Sequence, residues 1–78
     1  MKIILNDMDD ITCFVTGSEF YDGRVEVTQK HYRVNGRSLM GMCSLDTTKP
    51  IDVTITTTDK EVERDFYNFI EKWSVKND

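Results

Sequence analysis

A chain of 78 residues has room for one domain and no second, and 38% hydrophobic with 31% charged residues, one proline and no low-complexity run excludes a disordered chain. The formal charge of −4 removes the basic footprint that nucleic acid or an anionic membrane surface demands. Met1-Lys2-Ile3-Ile4-Leu5 is too short an apolar run for a secretory signal or a membrane span, so a soluble cytoplasmic protein is expected. Cys13 and Cys43 match no metal-ligand spacing and are too few for a disulfide scaffold. With a single histidine beside scattered carboxylates, neither a metal site nor a cofactor is expected.

Lys2 to Leu5 reads as a short strand, and the acidic stretch Asp7-Met8-Asp9-Asp10 suits a loop and the positive end of a helix. Ile11, Phe14 and Val15 stand at i, i+3 and i+4 on one apolar face, which Gly17 and Ser18 weaken, so a helix of about two to three turns is predicted. Asp22-Gly23 breaks the chain. Val25 and Val27 then alternate with Glu26 and Thr28 as in a half-buried strand, and a second strand includes Tyr32 to Val34. Two turns compete here: Asn35-Gly36 is the stronger hairpin signal by composition, whereas Lys30-His31 leaves better-matched flanks.

Residues 37 to 45 are predicted to hold a short helix with Ser38 as its N-cap, although Gly41 is a poor helix former. After Pro50, Ile51, Val53 and Ile55 alternate with polar residues as far as Thr57, the clearest strand in the chain. Thr58-Asp59-Lys60-Glu61 has the spacing of a capping box, and Val62, Phe66, Phe69, Ile70 and Trp73 then form one stripe of the longest helix. The order β-α-β-β-α-β-α with one-sided apolar faces predicts an α+β, two-layer open-faced sandwich: a four-stranded antiparallel sheet with helices on one face, as a single domain over residues 1–78.

The run Val34-Asn35-Gly36-Arg37-Ser38-Leu39-Met40-Gly41-Met42-Cys43-Ser44-Leu45 resembles the K-S-[IL]-M-G-[VL]-[ML]-[ST]-L signature of HPr, the histidine phosphocarrier of the bacterial sugar phosphotransferase system. Through Ile51 to Thr57 and the last helix the resemblance covers about two-thirds of the chain, and the element order matches along all of it. Aligned without gaps back to Val25, it puts the family's hairpin turn on Lys30-His31 and makes Asn35-Gly36 the entry to the short helix.

The resemblance fails where the family does its chemistry. HPr carries the phosphoryl group on a histidine in a G-I-H-A-R-P loop at the start of the first helix, where backbone N–H groups and an arginine receive the anion. Here the corresponding stretch is Asn6-Asp7-Met8-Asp9-Asp10, shortened as well as substituted. It reads as a degenerate phosphocarrier loop in which Asp7, Asp9 and Asp10 repel a dianion.

By resemblance, Ser38 matches a serine that a dedicated kinase phosphorylates in many Gram-positive HPr proteins, making the protein a partner for a transcriptional regulator. Its plain alternative is a helix N-cap. Arg37 beside it is expected to give a phosphoryl group there a charge-assisted bond. Leu39 and Met40 match the apolar patch by which HPr proteins meet several partners; the alternative is that they are core. The sole histidine, His31, is expected at a surface turn, and the acidic loop is more simply read as complementing a helix dipole than as a cation or aspartyl-phosphate site.

The leading expectation is therefore a non-enzymatic, HPr-like interaction or regulatory module with no catalytic residue. It would dock through Arg37, Ser38, Leu39 and Met40 to protein partners of the phosphotransferase or catabolite-regulation type, and not to nucleic acid or membrane. The alternatives are an active phosphocarrier with a non-standard acceptor at Asp7 or His31, and a scaffold domain that keeps only the fold.

Overall fold

The computed structural model describes residues 1–75, with strands β1 (Lys2–Ile3), β2 (Arg24–Gln29), β3 (Tyr32–Asn35) and β4 (Ile51–Thr56), and helices α1 (Met8–Ser18), α2 (Leu39–Cys43) and α3 (Lys60–Ile70). The four strands form one antiparallel sheet in the order β1-β4-β2-β3. Period-two alternation decides which side is covered: Ile51, Val53 and Ile55 of β4 are buried, while Asp52, Thr54 and Thr56 are exposed. Val27 pairs with Val53 on one side and Val34 on the other, so the inward set runs across three strands in register. This is the open-faced sandwich predicted from the sequence pattern.

α1 starts between two carboxylates. Asp7 is its N-cap and accepts from the Asp10 N–H at 2.9 Å, which satisfies one donor left open by helix geometry, while Asp10 accepts from the Asn6 N–H at 3.2 Å and ties the preceding residue to the first turn. Ile11, Phe14 and Val15 then join Phe66 and Ile70 of α3 in the core over the sheet. α3 meets α1 through the Phe69 ring, which lies on Gly17 where a Cβ would overlap it.

Two local expectations change. The cap of α3 is Asp59 rather than Thr58: its carboxylate accepts from the N–H groups of Glu61 at 2.9 Å and Val62 at 3.4 Å. The helix stops at Ile70, and Trp73 sits on a following 3-10 turn, Glu71–Trp73, where it still meets Phe14 edge-on at 6.1 Å. The chain then returns beside β1, with Ile3 bridged to Ser74 and the Val75 N–H bonded to the Lys2 carbonyl at 2.9 Å, which covers one edge of the sheet.

The competing hairpin turns resolve in favour of Lys30-His31. Gln29 pairs with Tyr32, and Lys30 takes φ +55, as a two-residue hairpin turn requires. Asn35 is the last residue of β3, paired with Glu26, and Gly36 follows it out of the strand. Gly36 is held there by packing, since its N–H donates to the Val25 carbonyl at 2.9 Å and a Cβ would strike the Val25 side chain.

Candidate functional site

The segment that enters α2 is built by a series of short-range bonds. The Asn35 side chain accepts from the Arg37 N–H at 2.8 Å, and the Ser38 N–H donates to the Asn35 carbonyl at 3.0 Å. Ser38 itself is extended (φ −103, ψ 113), and its hydroxyl oxygen accepts from the Gly41 N–H at 3.0 Å. Ser38 is thus the N-cap of α2, as expected. Its hydroxyl sits at a half-buried position beside the exposed Leu39 and Met40.

A helix of five residues cannot bury all of its apolar side chains on one sheet. Met42 is fully buried and Leu45 nearly so, whereas Leu39 is 43% and Met40 87% exposed. At Gly41 the helix lies tightly on β3: an added Cβ would stand 3.3 Å from the Val34 Cβ, so α2 is held at a fixed height with Met40 pointing outward. From Ser38 to Leu45 no residue is charged. The result is a small, apolar, neutral surface in a chain of which 31% is charged, and methionine is the side chain best able to mould to different partners.

Arg37 plays a different part from the one expected. Its Nε donates to the Ser18 carbonyl at 3.1 Å and its guanidinium donates also to the Tyr21 carbonyl. α1 has no basic residue in its last turn, so Arg37 supplies from another element the positive charge and the donors that a helix C-terminus lacks. Two donors of the guanidinium are thus held at the α1–α2 junction, so a phosphoryl group on Ser38 would compete with the Ser18 and Tyr21 carbonyls for it. This role rests on a contact between residues 16 and 19 positions apart, which no local pattern announces. The Ser18 hydroxyl beneath it is buried without a hydrogen-bond partner.

The acidic loop does not join this surface as a phosphate cradle. Asp7 and Asp10 are engaged in capping and Asp9 is exposed. α1 carries no cationic side chain, and no group of three or more histidine, cysteine or carboxylate side chains able to hold a metal ion occurs among the described residues. His31 lies exposed on the turn of the β2–β3 hairpin at the opposite edge of the sheet from β1, so Asp7 and His31 are not brought together. Cys13 and Cys43 are free and exposed.

Two features had no signal in the sequence pattern. Phe20, just past α1, is 83% exposed at the end of an open groove of about 460 Å³ between α1 and Phe69. A second cleft, of about 490 Å³, lies between the hairpin turn and the loop before β4, lined by Lys30, Tyr32, Asp46 and Lys49 among others. There the Asp46 carboxyl is lowered below its ordinary range, chiefly because the Thr48 hydroxyl donates to it at 2.5 Å, with Lys49 and Lys30 adding to the effect.

No protein-family model and no curated protein matches the chain. Among the described residues no helix is long and apolar enough to cross a membrane.

Proposed function

We propose that this protein is a non-enzymatic, HPr-like interaction module, a cytoplasmic bacterial paralogue that has lost phosphocarrier chemistry and docks other proteins through Ser38, Leu39 and Met40. The observation that carries the reading is the split of α2: Met42 is fully buried while Met40, two residues earlier, is 87% exposed on an uncharged surface. Leu39 and Met40 together offer apolar area beside a neutral helix, and covering it would contribute about 25 cal/mol per Å² to a complex. Support comes also from the element order, which is the one the resemblance implies, and from the Ser38 cap, whose hydroxyl opens the same helix.

The partners in this reading are proteins of the phosphotransferase or catabolite-regulation type, and Ser38 is the residue through which regulation acts. A phosphocarrier using Asp7 or His31 is disfavoured, because Asp7 is occupied as a cap without a cation beside it and His31 stands on an unrelated turn. The deciding measurement is affinity capture from the native cell extract with the wild type, Ser38→Asp and Met40→Ala as baits. Proteins retained by the wild type, lost with Met40→Ala and changed in amount with Ser38→Asp carry the reading. An identical set on all three baits sinks it.

A further inference from the structure

The net charge of this protein is not spread over it. Residues 1–22 hold Lys2 against Asp7, Asp9, Asp10, Glu19 and Asp22, which is −4 and the whole of the formal charge; residues 23–78 hold nine acids and nine bases and cancel. The segment that holds α1 and the turns at its two ends therefore accounts for the net formal charge.

The Arg37 contact fixes where that charge lies relative to the exposed apolar surface. The two carbonyls that hold Arg37 belong to Ser18 and Tyr21, and the residues that follow them directly are Glu19 and Asp22, both exposed. On the other side of the same contact, Arg37 is followed directly by Ser38, Leu39 and Met40. α1 and α2 pack against one another, so the neutral apolar face on α2 lies beside a helix whose carboxylates stand at its two ends, Asp9 and Asp10 in the first turn and Glu19 and Asp22 past the last. Neither Glu19, Asp22 nor Asp9 takes part in an ion pair among the described residues. Arg37, at the junction, donates through Nε and one Nη to backbone carbonyls and pairs with no carboxylate among the described residues.

We infer that the α1–α2 face takes a basic amphipathic segment of a protein partner, whose apolar side chains cover Leu39 and Met40 while its lysines or arginines meet the carboxylates of α1 and its C-terminal turn. The inference rests on the docking reading above and adds the sign and shape of the partner. Exposed carboxylates and an anionic lipid surface or nucleic acid repel one another, so the complementary occupant is a cationic protein segment. An apolar face without charge of its own leaves that segment's hydrophobic side chains as the centre of the contact, with the ion pairs at its rim setting orientation and salt dependence.

The test uses three synthetic helical peptides of equal length on the full chain, followed by amide chemical-shift mapping and by titration. One is leucine and lysine in amphipathic order, the second replaces every lysine with glutamate, and the third scrambles the first so that no apolar face remains. The amphipathic basic peptide is expected to shift the amides of Leu39, Met40 and Cys43 together with those of Glu19 and Asp22. Its affinity should fall at least fivefold between about 50 mM and about 300 mM salt. Glu19→Gln with Asp22→Asn should weaken it roughly tenfold without moving the shifts elsewhere, and Met40→Ala should weaken it at either salt.

If the acidic peptide binds the same face as tightly, the sign is wrong and the docking reading stands without it. If the scrambled peptide binds as well as the ordered one, the contact is charge alone and the inference fails. If no peptide shifts α2, or if the shifts fall on the open face of the sheet, both the inference and the docking reading fail.

Discussion

A phosphoryl group on Ser38 would place about 1.5 to 2 negative charges next to an arginine that already donates through Nε and one Nη to the Ser18 and Tyr21 carbonyls. Drawing Arg37 across to the phosphate would open the C-terminal end of α1, so the two bonds compete and the helix end opposes the switch. Arg37→Ala should therefore lower stability by about 1–3 kcal/mol, the cost of leaving carbonyls without their charged donor. Arg37→Lys should recover only part of it, because an ammonium cannot span both acceptors in one plane. Ser38→Asp should change stability by less than Arg37→Ala does. Urea unfolding of the three variants orders them, and a silent Arg37→Ala would remove the latch. None of this was legible in the sequence, where Arg37 and Ser38 read as neighbours serving one anion; only the path of the chain shows that one of them faces α1.

At the level of elements, what repeats over several residues was readable and what depends on one bond was not. The stripe of Val62, Phe66, Phe69 and Ile70 announced α3, and the structure buries Phe66 and Ile70 completely. Phe66 meets Tyr21 at 5.6 Å and Tyr67 at 5.7 Å, both edge-on, so truncating it empties the centre of an aromatic group. Phe66→Ala is expected to cost about 3–5 kcal/mol, enough to unfold a domain of this size at ordinary temperature, and thermal melting followed by circular dichroism measures it. The start of the same helix was misplaced by one residue. Thr58 and Glu61 have capping-box spacing, but Asp59 offers a carboxylate one position later, and the stronger acceptor takes the N–H groups of Glu61 and Val62. Asp59→Ala should cost about 1 kcal/mol and Thr58→Ala a few tenths at most, a difference that reverses if Thr58 is the cap in solution. The hairpin shows the same limit. Asn-Gly is the better turn by composition, yet Gly36 is needed where the backbone passes Val25, and Lys30 accepts a positive φ instead.

For the molecule as a whole, the architecture followed from one-sided apolar faces, whereas the function turns on what stands at the first helix. A histidine phosphocarrier holds its phosphoryl group between helix N–H donors and a cation; here the N-terminal turn of α1 is flanked by the carboxylates of Asp7, Asp9 and Asp10, and Asp7 already accepts from the Asp10 N–H. A phosphoryl group approaching that end would be repelled by about 1 kcal/mol per carboxylate at roughly 4 Å in water, and more once desolvated. His31 offers an imidazole in an exposed turn, but without the helix terminus and arginine that would hold the product. Incubation with phosphoenolpyruvate and the first enzyme of the phosphotransferase system is accordingly expected to leave the protein unlabelled. An authentic histidine phosphocarrier in the same tube serves as the positive control. Stoichiometric acid-labile label that disappears in His31→Ala would assign the acceptor to the hairpin turn. Label that survives His31→Ala and disappears in Asp7→Asn would assign it to the acidic loop, with capping retained by the amide oxygen. Either result would return the protein to phosphotransfer and make the neutral face of α2 the place where the donor enzyme docks.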